Sequence, residues 1–168
     1  MIIDAMDILY SKKVSGFCLV SSDSDFTRLA VRLREAGMVV YGIGEKKTPN
    51  PFIVACDKFI YLEILKKETD QETNNTTQTR VQKPKVDKIT PAVVNLITIT
   101  ISDLEDDDGW AFLGEVGTLL QKKQPNFDPR NYGFQKLTPL INSISKFEIE
   151  PRKLPKSNQK LIYVRVIS

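Results

Sequence analysis

Between Lys66 and Lys85 the chain reads KKETDQETNNTTQTRVQKPK, with Val81 as its single sizeable apolar side chain. A stretch this polar cannot bury enough surface to offset the entropy of ordering it. It reads as a linker over about residues 65–88. The rest of the chain must then fold as two small modules, residues 1–64 and 89–168. Each has to build its own core.

The apolar material is sufficient for that, at 41% of 168 residues, with 27% charged. The chain contains no His. That excludes Ser-His-Asp and Cys-His nucleophile systems, a His general base and His-ligated zinc. Cys18 and Cys56 are too far apart for a CxxC pair, and two irregularly spaced thiols point to a reducing compartment, so a cytoplasmic location is expected. The opening MIIDAMDILYSKK is interrupted by Asp4 and Asp7 and does not read as a signal peptide. No run approaches the ~18 apolar residues of a membrane span, so no membrane partner is expected.

The first module alternates in type. Ile3, Met6 and Tyr10 fall at helical spacing; residues 17–20 and 38–43 are apolar runs of buried-strand type. Asp25–Ala36 sets Phe26, Leu29, Ala30 and Leu33 on one helical face, with Gly37 as the stop. A short helix over 51–56 and a strand over 59–62 complete an α-β-α-β-α-β order, which implies a parallel sheet with crossover helices. Opening on a helix in so few residues, the module is expected to be the later part of a larger α/β domain.

The sharpest local pattern is FCLVSSDSDFT at 17–27, where Asp23 and Asp25 sit between a strand and the following helix. Functional groups gather at such turns in parallel α/β proteins. Two carboxylates there repel unless a cation compensates, and oxygen-ligated Mg²⁺ or Mn²⁺ would do so. The structural alternative is that Ser24 or Asp25 caps the helix while Asp23 is solvated. The DxDxT pattern of haloacid-dehalogenase phosphatases also fits residues 23–27, but that family needs a later Lys and further acidic motifs for which little chain remains.

Ile3-Asp4-Ala5, the run from Val20 to Phe26, the run from Leu33 to Gly42 and the run from Ala55 to Leu62 together resemble the later part of an NYN domain, a PIN-like nuclease family that includes the LabA proteins. The resemblance implies that Asp4, Asp23 and Asp25 belong to a catalytic carboxylate cluster that binds Mg²⁺ or Mn²⁺ and supports RNA cleavage. The family's pattern differs at Ser22, where it commonly has Gly. It also begins with a strand bearing another acid and an Asn, which residues 1–64 lack.

In the second module, Thr90-Pro91 opens a helix, Gly109–Lys123 reads as an amphipathic helix through Trp110, Leu113, Val116 and Leu120, and Asp128-Pro129 opens a third. Alternating strands at 147–150 and 161–166 follow, so the order is that of a winged helix. Trp110, Phe112 and Phe134 are expected in its core. The acidic run 106–108 resembles a calcium loop, but its first ligand position would fall on Leu104; capping at Gly109 accounts for it better.

The runs 109–120, 127–137 and 163–166 resemble the LOTUS (OST-HTH) domain, a winged helix implicated in RNA binding and, in some members, protein contacts. From Pro151 onward the chain has five basic residues and no acid. The expected RNA contacts are Arg130, Tyr132, Lys136, Arg152, Lys153, Lys156 and Lys160. Two readings follow: a metal-dependent ribonuclease tethered to an RNA-binding module, or a non-catalytic RNA- or protein-binding adaptor on a degenerate NYN scaffold. A homodimer is a further expectation.

Overall fold

The computed structural model describes residues 1–65, 86–153 and 160–167, without the side chain of Lys153. The expected linker falls almost wholly outside these residues. The described residues form two compact units: an α/β unit with a parallel sheet and an α+β unit with an antiparallel one.

The first unit runs α1 (Ile2–Tyr10), β1 (Gly16–Val20), α2 (Thr27–Glu35), β2 (Val39–Gly44), α3 (Asn50–Ala55) and β3 (Lys58–Tyr61). The strands are parallel in the order β1-β2-β3, with Phe17 opposite Val40 and Gly42 opposite Phe59. Leu19, Val40 and Phe59 form the core with Leu29, Ala30 and Leu33 of α2 and Phe52, Ile53 and Ala55 of α3. Gly42 is required beneath Phe59: a Cβ there would lie 2.5 Å from the ring and 2.7 Å from Cys56 Sγ. Asp57 ties the end of α3 to β2. Its carboxylate accepts from the Val40 amide at 2.8 Å and pairs with Arg34 at 3.1 Å, while its own amide donates to the Val40 carbonyl.

Two details differ from the sequence expectation. In α1 the buried positions are Ala5 and Leu9, whereas Ile3 is 76% and Tyr10 68% exposed. The helix is apolar on several sides, so periodicity alone could not select its inner face. Among the described residues the sheet is also covered on one face only. Val20, Val39 and Tyr41, which alternate away from the core, are exposed, although parallel sheets are ordinarily buried on both sides.

The second unit runs α4 (Pro91–Ser102), β4 (Ala111–Phe112), α5 (Leu113–Lys123), a 3-10 turn (Pro129–Tyr132), α6 (Leu137–Asn142), β5 (Phe147–Lys153) and β6 (Lys160–Val166). The Thr90 hydroxyl caps α4 by accepting from the Val93 amide, as expected. Within this β-branched helix, the buried Thr100 hydroxyl is satisfied by the Leu96 carbonyl at 2.7 Å. Ile97, Ile101, Val116, Leu120, Leu140, Ile141 and Val164 form the core.

The expected helix from Gly109 begins four residues later. Asp106 Oδ1 accepts from the amides of Asp108 and Trp110, and Gly109 takes a left-handed φ of 75°. This turn feeds the chain into β4 instead of a helix. β4 pairs antiparallel with β6, which pairs with β5, in the order β4-β6-β5. The expected third helix is likewise divided. Asp128 caps only the 3-10 turn, Gly133 ends it at φ 86°, and α6 starts afresh after an extended Lys136.

Candidate carboxylate turn and nucleic-acid interface

Asp23 and Asp25 lie where β1 runs into a 3-10 turn, Ser24–Phe26, that leads directly into α2. The cap is Asp23, not Ser24 or Asp25. Asp23 Oδ1 accepts from the Asp25 amide at 3.0 Å, and the Asp23 amide donates to Ser21 Oγ at 3.1 Å. Ser22 has a defined role as well: its Oγ accepts from the Glu45 amide at 2.8 Å, joining the loops that follow β1 and β2. Both carboxylates are exposed.

Asp4 sits in the first turn of α1, with Oδ2 2.7 Å from the Met1 amino group. Hydrogen bonding and charge from that ammonium hold its carboxyl below the ordinary range. The structure places Asp23 and Asp25 on one turn but does not bring Asp4 to them as a metal-holding group. Among the described residues no three Cys, Asp or Glu side chains converge in that way.

Sequence reading missed Glu45 and Glu63, which follow β2 and β3 at the carboxyl end of the sheet. Glu63 Oε1 accepts from the Lys46 amide at 3.1 Å, and its Oε2 is buried with no hydrogen-bond partner among the described residues. The available signal was positional: each acid lies one or two residues past a strand of a parallel sheet.

In the second unit, a groove of about 430 Å³ beside α5 is lined by Gly117, Gln121, Arg130, Gln135, Lys136 and Leu137, among others. It brings together the two expected contacts Arg130 and Lys136. Arg130 is engaged by Asp128, through Nε at 3.0 Å and Nη2 at 2.9 Å; Lys136 is exposed. Tyr132 is partly buried against the core, its ring 6.0 Å from that of Phe127. Phe134 also packs on the core, as expected.

The remaining expected contacts belong to the β5–β6 hairpin. Lys153 ends β5 opposite the exposed Lys160 at the start of β6, and Lys156 lies outside the described residues. Arg152 pairs with Glu150 at 2.9 Å and stacks over two rings, with Cζ 5.0 Å from the Trp110 centroid and 4.5 Å from that of Tyr163. Arg165, not among the expected contacts, lies 4.8 Å from the Trp110 ring and pairs with Glu148. Trp110 and Phe112 are therefore corrected: they are half-buried on the sheet's outer side, because β4 alternates and turns Ala111 inward.

These two folds match known families. The NYN domain model matches residues 1–63, and the OST-HTH/LOTUS domain model matches residues 84–158. Among solved structures, the chain is similar to an uncharacterized protein of Nitrosomonas europaea determined by solution NMR, with 34% identity over 57% of this chain and 91% of that one, at a TM-score of 0.45. It is also similar to a segment, residues 175–257, of a Chromobacterium violaceum protein, with 26% identity over 49% of this chain and 87% of that one, at a TM-score of 0.38. No curated protein matches. The chain thus carries an NYN domain over residues 1–63 followed by an OST-HTH/LOTUS domain over residues 84–158.

Proposed function

We propose that this is an RNA-binding protein whose OST-HTH/LOTUS unit supplies the contacts to RNA. The observation that supports this reading most is the acid-free run from Pro151 to Ser168, whose basic residues include Arg152 and Lys153 of β5 and Lys160 and Arg165 of β6. Lysine and arginine on such a surface neutralise phosphates and release counterions, which provides sequence-independent affinity. The groove beside α5 adds the exposed Lys136 on the same unit. Two free thiols and an RNA partner are in keeping with a cytoplasmic protein. Among the described residues no helix is long and apolar enough to cross a membrane.

The test is fluorescence anisotropy of a labelled single-stranded RNA titrated with the full chain. Saturable binding that weakens with salt supports the reading; binding indifferent to salt removes its physical basis.

Family membership and the position of Asp23 and Asp25 past β1 favour a second reading, phosphodiester cleavage assisted by Mg²⁺ or Mn²⁺. As placed, the carboxylates do not fit a closed ligand set. Asp23 Oδ1 is engaged as a cap, and no third acid joins the turn among the described residues. No cleavage step is derived from them. Metal-dependent cleavage of single-stranded RNA, abolished by Asp23→Asn, would establish this second reading; cleavage unchanged in that variant would remove Asp23 from it.

A further inference from the structure

The groove beside α5 holds polar groups that the fold does not use. Of the side chains lining it, Arg130 is committed to Asp128, and the Thr118 hydroxyl donates to the Gly114 carbonyl at 3.0 Å. Gln121, Gln135 and Lys136 line the same groove and form no side-chain hydrogen bond or ion pair among the described residues. Gln121 is half-buried near the end of α5, and Gln135 and Lys136 are exposed just before α6.

A second cavity, of about 400 Å³, shares Gly114, Gly117 and Leu137 with the first and reaches Lys160, which is exposed at the start of β6. The shared part is therefore floored by two glycines one helical turn apart and by Leu137, with a lysine in each cavity. No acid lines the second cavity, and Asp128, the one acid of the first, is paired with Arg130 at 2.9 Å. The pair of cavities carries an uncompensated positive charge.

We propose that this groove takes one unpaired base of a single-stranded RNA, an adenine, with the flanking phosphates meeting Lys136 and Lys160. The proposal rests on the RNA-binding reading above and assigns it a base-reading site. Lysines at the two cavities select an anion, and phosphate contacts alone would be blind to sequence. The carboxamides of Gln121 and Gln135 supply the missing readout. A carboxamide carries a donor beside an acceptor, which matches adenine's N7 beside its N6 amino group. A volume of about 430 Å³ falls within the range of clefts that enclose small molecules, so a base has room to enter. That requires a nucleotide free of its neighbours' stacking, as in a single strand.

The experiment follows the anisotropy of two labelled RNAs titrated with the full chain: a twelve-nucleotide oligouridine, and the same oligonucleotide with one central adenosine. The adenosine RNA should bind about tenfold tighter. Gln121→Ala and Gln135→Ala should each bring the two affinities within about twofold, with the salt dependence and far-UV circular dichroism unchanged. Lys136→Gln should weaken both RNAs alike and lower the slope of log K against log salt by about 0.7. Equal affinity for the two RNAs, or a preference that survives both glutamine substitutions, would overturn this assignment and leave the RNA-binding reading standing. Displacement of the adenosine RNA by a twelve-residue oligoglutamate at comparable concentration would also overturn it, and would reassign the groove to an acidic peptide. Absence of binding to either RNA would overturn both readings.

Discussion

Substitutions at Asp23 separate its structural role from its charge. The carboxylate accepts from the Asp25 amide at 3.0 Å and so caps the turn that starts α2, a turn reinforced by Thr27 Oγ1 donating to the Ser24 carbonyl at 2.6 Å. Loss of an N-cap acceptor costs on the order of 1 kcal/mol, whereas Asn caps about as well as Asp. For a unit this small the dependence of stability on urea is about 1 kcal/mol per molar. Asp23→Ala should therefore lower the unfolding midpoint of the first unit by about 1 M, and Asp23→Asn by no more than about 0.3 M. The readout must be specific to this unit, and Cys56 provides one. It is 1% exposed, so its labelling by a thiol reagent reports opening of the NYN core. Equal losses for Ala and Asn would refute the reasoning, because they would make the charge, not the acceptor, responsible. An unchanged midpoint in Asp23→Ala would show that the cap does not hold the turn.

Three further outcomes follow from the same geometry. Gly42→Ala forces a methyl into the Phe59 ring and Cys56 Sγ, and should destabilise the first unit by about 1–3 kcal/mol in the same labelling assay. In the native protein at pH 8, Cys18, which is exposed, should label rapidly while Cys56 does not. Burial pushes the Cys56 thiol up to about 11 from an ordinary 9.0, and its Sγ donates to the Phe52 carbonyl. The unfolded chain loses this proton first, so the contribution is intact below pH 9 and is lost as pH rises to 11. Urea midpoints should fall over that window in the native sequence and fall less in Cys56→Ala.

Much of the fold was legible because its signals are local. The apolar runs at 17–20 and 38–43 sit within one residue of β1 and β2, and Thr90-Pro91 caps α4 as read. What escaped depends on distant partners. Trp110 and Phe112 sit near Leu113 and Val116 at spacings a helix could use, and only the pairing of Ala111 and Phe112 with β6, some fifty residues later, makes a strand there. Once Ala111 turns inward, both rings must face out, so the expectation of core burial failed for a geometric reason. Asp128 read correctly as a cap, but the left-handed Gly133 ends its turn before a helix can form. At the candidate site the Asp23–Asp25 turn was legible, whereas Glu63 was not, since its approach to Lys46 exists only in the folded sheet. Likewise, nothing in the spacing of Arg130 showed that Asp128 holds it with two hydrogen bonds.

In the proposed reading the OST-HTH/LOTUS half holds RNA, while the NYN half presents Asp23 and Asp25 past β1. The central claim, RNA binding through the basic hairpin, is tested most directly by the salt dependence of affinity for a single-stranded RNA. About four phosphate contacts give a slope near −3 in log K against log salt, or about 50-fold weaker binding at 200 mM than at 50 mM. A slope near zero, or a slope unaltered when Lys153, Lys156 and Lys160 are all replaced by Gln, would contradict it.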